Sequence, residues 1–200
     1  MARRHRKDSI MRKVVALEHI TLDGYASSGR DLGFEFTFGG YSEDLATFVQ
    51  EHVQADFDTA MYGRETYLGM YGYWAAQPTP ESSANERTHA EWVNAVDKVV
   101  FSTTLAAAEW HNTRLIGANV AEEVRALKQR EGGTIGIYAS PKLVHSFLDM
   151  GLIDEFRIMI HPVTLGSGTP LFHEKAQVNL ELLETRSFDS GVVYVRYSIR

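Results

Sequence analysis

Ile158-Met159-Ile160-His161-Pro162-Val163-Thr164-Leu165-Gly166-Ser167-Gly168-Thr169-Pro170-Leu171-Phe172 decides how this chain is read. An apolar strand runs into a proline, crosses a loop with two glycines and re-enters the core at Leu171-Phe172. Pro162 cannot continue a ladder, and Gly166 and Gly168 permit positive φ. Backbone N–H groups are therefore expected to turn outward as a concave, anion-friendly nest. A strand that ends in such a loop is the unit from which ligand-binding α/β sheets are built.

Outward from this stretch, strands alternate with helices. Strands are predicted at residues 13–20, around Val14-Val15-Ala16-Leu17, and at 57–62, 98–101, 113–116, 134–138 and 155–160. Between the first two lies a Gly- and Ser-rich loop through Gly40. Ser42 then caps a helix with Glu43 and Asp44 in its first turn and Leu45, Phe48, Val49 and Val53 on one stripe. Further helices are expected at 64–71, 85–96 and 121–130, and from Pro141 to Gly151, with a surface excursion over 72–84. Residues 180–187 and 192–199 read as a terminal hairpin around Asp189-Ser190-Gly191. The pattern predicts an α/β fold: a mainly parallel central sheet flanked by helices, with an antiparallel hairpin at one edge.

Composition narrows the possible functions. Two hundred residues, 44% hydrophobic and 23% charged, suit one domain, expected over 11–200. The basic run Arg3-Arg4-His5-Arg6-Lys7 is expected in a flexible arm over 1–10. A net charge of −6 argues against a nucleic-acid surface, which needs clustered Lys and Arg to release counterions. No apolar run is long enough for a bilayer span, so a soluble, cytoplasmic protein is expected. With no cysteine there is no disulfide, thiolate nucleophile or Cys-based metal site.

In an open parallel sheet ligands bind at the carboxyl ends of the strands, and four junctions there carry anion-binding chemistry. Gly63-Arg64-Glu65-Thr66 opens a helix with free N–H donors, a hydroxyl and a guanidinium. Ser102-Thr103-Thr104 offers three hydroxyls, Ala139-Ser140-Pro141-Lys142 a second helix start followed by Leu143, and residues 161–168 the nest. Together they suit a dinucleotide lying along one crevice. Neither a P-loop nor a Gly-x-Gly-x-x-Gly fingerprint is present.

Leu22-Asp23-Gly24, Gly63-Arg64-x-Thr66-Tyr67, Val99-Val100-Phe101-Ser102, Leu152-Ile153-Asp154-Glu155 and the run from His161 to Phe172 resemble, in that order, the dihydrofolate-reductase-like family. They resemble most closely the C-terminal reductase domain of bifunctional riboflavin-biosynthesis deaminase-reductases and its stand-alone bacterial relatives. The resemblance spans about residues 12 to 198. It implies NADPH bound in extended form and hydride delivered to a small planar heterocycle (pterin, pyrimidine or flavin-like) or a carbonyl compound. By it, Arg64 and the Ser102 and Thr103 hydroxyls face the adenosine 2′-phosphate, Ala139, Ser140 and Lys142 approach the pyrophosphate, and Thr66 and Leu143 are further cofactor-binding residues. Gly63 opens the first junction, Gly166 and Gly168 border the nicotinamide, and Asp23 holds the first loop. Relatives tend to carry glycine where Ala139 stands, and a Cβ there opposes positive φ. No deaminase half is expected within these residues, so a role in riboflavin biosynthesis is not implied.

For proton donation the resemblance points to the first helix, hence Asp44 or Glu43, although acids in a first turn also serve the helix dipole. Glu18, inside an apolar strand beside His19, either reaches the crevice or pairs with a neighbour. His161 is a donor at a strand end or a hydrogen-bonded structural residue. Tyr71, Tyr73 and Trp74 stack on a flat substrate or pack beneath a loop. His145 and Asp149 share a helix face without a third ligand, so no metal is expected. Val192, Val193, Val195 and Tyr197 on the hairpin suggest a homodimer. The alternative to an enzyme is a non-catalytic dinucleotide-binding sensor or partner subunit on the same fold.

Overall fold

A computed structural model describes residues 11–29 and 33–200. The arm expected over 1–10 lies outside the described residues. The main sheet contains β1 (Val14–Thr21), β3 (Phe57–Gly63), β4 (Asp97–Phe101), β5 (Thr113–Ile116), β6 (Thr134–Tyr138), β7 (Glu155–His161), β9 (Leu180–Ser187) and β10 (Val193–Ile199), in the order β5-β4-β3-β6-β1-β7-β10-β9. The strands from β5 to β7 are parallel, and β10 and β9 join antiparallel beyond β7. The α/β architecture, with its antiparallel hairpin at the edge, is as the sequence pattern predicts.

Helices α1 (Glu43–Phe48), α2 (Arg64–Trp74), α3 (Ala84–Ala95), α4 (Val120–Lys128) and α5 (Pro141–Asp149) cover both faces. Central β1 is apolar on both sides, as a parallel strand between two helical layers must be. Val14, Ala16 and Ile20 pack with Val124 of α4 and Leu143, Val144 and Phe147 of α5. Val15 and Leu17 pack with Leu45 and Phe48 of α1 and with Val49 and Val53. A third cluster gathers Tyr62, Tyr67, Val93 and Trp110.

Several details differ from the sequence reading. The first helix changes to a π turn over Val49–Val53, and α2 runs on to Trp74 before the chain leaves the sheet. Within the loop through Gly40, β2 (Tyr25–Ser27) pairs with β8 (Thr169–Pro170), three residues against two. Elements so short carry no periodicity to read. Gly168 adjoins this pairing: at φ +143 a Cβ would run into the Ser27 carbonyl oxygen. The hairpin valines are not free either. Val192 is buried and Val195 nearly so, because β10 lies between β7 and β9, and β9 forms the free edge. Among the described residues no helix is long and apolar enough to cross a membrane.

Candidate functional site

Parallel strands bring all their carboxyl ends to one rim. In sheet order these are Ile116 of β5, Phe101 of β4, Gly63 of β3, Tyr138 of β6, Thr21 of β1 and His161 of β7. At about 4.8 Å between neighbouring strands, the rim is about 24 Å long. The four junctions singled out in the sequence and Asp23 all lie along it.

Arg64 is the first residue of α2 and is exposed, its Nη1 donating to Thr104 Oγ1 at 3.4 Å. Ser102 Oγ accepts from the N–H groups of Thr104 at 3.1 Å and Leu105 at 3.0 Å, which shapes that turn, and Thr103 is exposed beside it. The β3 and β6 junctions are tied together. Gly63 N–H donates to Ser140 Oγ at 3.1 Å, and Thr66 Oγ1 donates to the Ala139 carbonyl at 2.8 Å. Leu143 packs beneath, its Cβ 3.9 Å from where a Cβ on Gly63 would lie. Lys142 Nζ pairs with Glu65 at 2.9 Å across the two first turns, holding Glu65 below the usual carboxylate range. Neither α2 nor α5 has a side-chain cap; the leading N–H groups of α2 remain available, while in α5, where Pro141 has no N–H and Leu143 donates to the Ser140 carbonyl, the one left over is that of Lys142.

Ala139 adopts φ +45, the left-handed region, despite its Cβ. Three bonds hold it there: its N–H donates to Leu17 O at 3.1 Å, Thr66 binds its carbonyl, and the next N–H, of Ser140, donates to Glu18 Oε1 at 2.8 Å. Of the two alternatives for Glu18, then, the structure has it paired. The side chain is buried, and desolvation pushes its pKa up to about 8 against the opposing pull of the Ser140 bond.

The nest after β7 already holds an anion. Asp23 Oδ2 accepts from Gly166 N–H at 2.8 Å and Leu165 N–H at 3.2 Å, and Oδ1 from the Thr21 hydroxyl at 2.6 Å. Thr21 first, then the two N–H groups, hold Asp23 below the usual carboxylate range. The loops after β1 and β7 are thereby closed on each other.

His161 is buried, and its Nε2 lies 2.8 Å from Nδ1 of half-buried His19. Phe36 approaches His161 edge-on, and the Tyr41 ring lies 5.7 Å from His19. Burial lowers both imidazoles, His161 to about 4 and His19 to about 3, where the neighbouring ring contributes as well. His19 was not singled out in the sequence. Its partner is 142 residues away, and only the β1–β7 register brings them together.

Other candidates lie elsewhere. Asp44 and Glu43 line an open cleft of about 610 Å³ with Thr47, Arg186 and Asp189. There the Ser42 hydroxyl holds Asp44 below the usual range. Tyr71 stacks on Tyr67 and meets Trp110, while Trp74 packs against Tyr73 and His89. His145 Nε2 lies 2.9 Å from the Pro170 carbonyl, and Asp149 pairs with His173 at 3.0 Å.

This architecture is a dihydrofolate-reductase-like fold. A putative riboflavin biosynthesis protein from Shewanella sp. PV-4 superposes with a TM-score of 0.74 at 17% identity, over 94% of this chain and 99% of that one. Dihydrofolate reductase from Enterococcus faecalis, solved in complex with NADP(H) and RAB-propyl, gives 0.60 at 14% identity, over 94% and 96%. The family model of the RibD C-terminal domain matches residues 12–194, and the chain belongs to that family. In sequence it is 33% identical to the uncharacterized protein YyaP of Bacillus subtilis (strain 168) over 187 residues, 93% of this chain and 94% of that one.

Proposed function

We propose that this protein is an NADPH-dependent reductase, a single catalytic domain over 11–200 that passes hydride to a small planar heterocycle or carbonyl compound. One observation carries the reading: two uncapped helix N-termini, α2 and α5, are bridged side by side at the rim through Gly63–Ser140 and Thr66–Ala139. The free N–H groups at the start of α2, with that of Lys142 at the start of α5, favour a pyrophosphate, and the Arg64 guanidinium among the hydroxyls of Ser102, Thr103 and Thr104 favours a further phosphate. The donor chemistry therefore fits a dinucleotide with a 2′-phosphate. Lys142 supplies charge beside the pyrophosphate once it exchanges Glu65 for phosphate oxygens. Asp23, by fixing the loops after β1 and β7, shapes the nicotinamide end near Gly166 and Gly168.

NADPH, when bound, supplies the hydride; the chain binds it, orients it and keeps the substrate against it. The complex of Enterococcus faecalis dihydrofolate reductase with NADP(H) supports the same assignment. A homodimer is proposed as well, through β9, whose outer edge is unpaired among the described residues and carries exposed Leu182 and Leu183. The test is a titration of the full chain with NADPH, followed by cofactor oxidation in the presence of oxidised pterins, flavins and quinones. Binding with turnover is the expected result. Binding without turnover across that panel favours the sensor reading, and absence of binding overturns both.

A further inference from the structure

His19 and His161 form a polar pair on the α1 side of the sheet at the carboxyl end of its central strands, and the tautomers of the pair follow from its surroundings. His161 Nδ1 is buried and has no hydrogen-bond partner among the described residues. What faces it is Gly40, where an added Cβ would come within 2.8 Å of Nδ1. In glycine that direction carries a Cα–H. A C–H pointing at a ring nitrogen is compatible with a bare lone pair and opposes an N–H, which would also be a buried donor left unpaired. The proton of neutral His161 therefore resides on Nε2, which donates to His19 Nδ1 across the 2.8 Å contact.

The consequence falls on His19. With Nδ1 accepting, its own proton is confined to Nε2. That atom has no hydrogen-bond partner among the described residues, and the His19 residue is only half-buried. The ring itself is kept from turning by His161 on one side and Tyr41 on the other. The outcome is a neutral donor of fixed direction, two residues before the carboxyl end of β1.

We propose that His19 Nε2–H is the substrate-reading donor of this site, taking the carbonyl oxygen or ring nitrogen of a planar heterocycle, and that His161 acts through it as a positioning residue. The assignment rests on the reductase reading above and names a contact of its substrate. A donor held without charge suits an acceptor that gains electron density as hydride arrives next to it.

Nitrogen-15 long-range correlation spectra of the full chain at pH 7 test the geometry without any ligand. Both rings are expected neutral with the proton on Nε2. A proton on Nδ1 of His19, or an imidazolium in either ring, overturns the proposal. Lumazine, a planar pteridinedione, is the probe for recognition, titrated with and without NADP+. His19→Phe is expected to weaken lumazine about tenfold, the loss of one hydrogen bond. His19→Gln, which keeps an N–H donor, is expected to lose less than about threefold on the same scale. NADP+ affinity stays unchanged in both variants. Equal lumazine affinity in wild type and His19→Phe, or no lumazine binding by wild type, overturns the role of His19. Failure of NADP+ to bind at all counts instead against the reductase reading, because the tautomers and the nucleotide-free titration still judge His19.

Discussion

The two edges of the same sheet are built in opposite ways. At the amino edge, charges are paired. Arg12 meets Asp58, Lys128 meets Asp154, Arg157 meets Asp56 and Glu155, and Arg196 meets Glu155. At the carboxyl rim, donors are left over: α2 and α5 begin without side-chain caps, and Arg64 is exposed. Helix α3 sharpens the contrast. It starts after the excursion from α2 rather than after a strand, and Ser83 and Glu86 close it with a full capping box. Among the described residues it is the one α-helix with a side-chain cap. A chain able to cap α3 but leaving the rim helices open keeps its stabilising contacts at one end and its binding donors at the other.

The largest effect expected from breaking that division is at Glu155, whose side chain is fully buried against Arg157 Nε at 2.9 Å and Arg196 Nε at 2.6 Å. Glu155→Ala removes the buried carboxylate that Arg196 and Arg157 share, leaving Arg157 with Asp56 alone among its acids, and is expected to destabilise the fold by about 3–5 kcal/mol in urea unfolding. NADPH affinity of the remaining folded protein should not change. A loss of affinity beyond the unfolded fraction would show that the edges are not separable.

Arg64→Ala probes the opposite edge. Exposed and bonded only weakly to Thr104, Arg64 should be dispensable for stability, with unfolding changed by less than about 0.5 kcal/mol. NADPH affinity, by contrast, is expected to fall ten- to a hundredfold, the equivalent of about 1.5–3 kcal/mol for a charge-assisted contact. NADH affinity should hardly move. Equal losses for the two nucleotides would reject the placement of the 2′-phosphate.

Glu18 belongs to neither edge, being a buried acid beneath the rim, and pH reads it. Its folded pKa of about 8 exceeds the ordinary 4.5, so its contribution to stability is complete below about 4.5 and is lost as pH rises toward 8. His19 and His161, lowered from 6.5, act in the other direction: their contribution is complete above 6.5 and is lost as pH falls. The difference between wild type and Glu18→Gln isolates the carboxyl, since Gln still accepts from Ser140. Wild type should lose stability relative to the variant across that window by at most about 1.4 kcal/mol per pH unit. Parallel curves would mean that Glu18 stays ionised.

The sequence was most legible where periodicity is strong and a junction is local. Central β1, with its Val14-Val15-Ala16-Leu17 run, and α5, opened by Pro141, carry their own signals. That the four junctions share a rim also followed, because parallel strands put like ends together. What stayed hidden depends on register or on contacts far apart in the chain. The His19–His161 pair, the filling of the nest by Asp23 and the β2–β8 ribbon each join segments more than 130 residues apart. Gly168 was read as a cofactor neighbour, and the close approach of Ser27 that demands a glycine there had no local trace. The hairpin valines looked exposed because a strand's neighbours cannot be counted from its own residues.

Ala139→Gly gives the smallest effect and tests the rim at its tightest point. An L-residue at φ +45 costs about 1–2 kcal/mol relative to a right-handed conformation, and glycine removes that cost while adding about 0.5–1 kcal/mol of chain entropy to overcome. The net expectation is a gain of about 0.5 kcal/mol in unfolding free energy. Removing the exposed methyl also lets a phosphate approach the backbone, so NADPH should bind a few-fold more tightly while lumazine affinity stays the same. A gain in stability with no change in NADPH affinity would mean that the backbone at Ala139 does not approach the pyrophosphate. The dinucleotide would then be held by the α2 start alone, and the bridge from Gly63 to Ser140 would be a strut of the sheet rather than part of the binding edge.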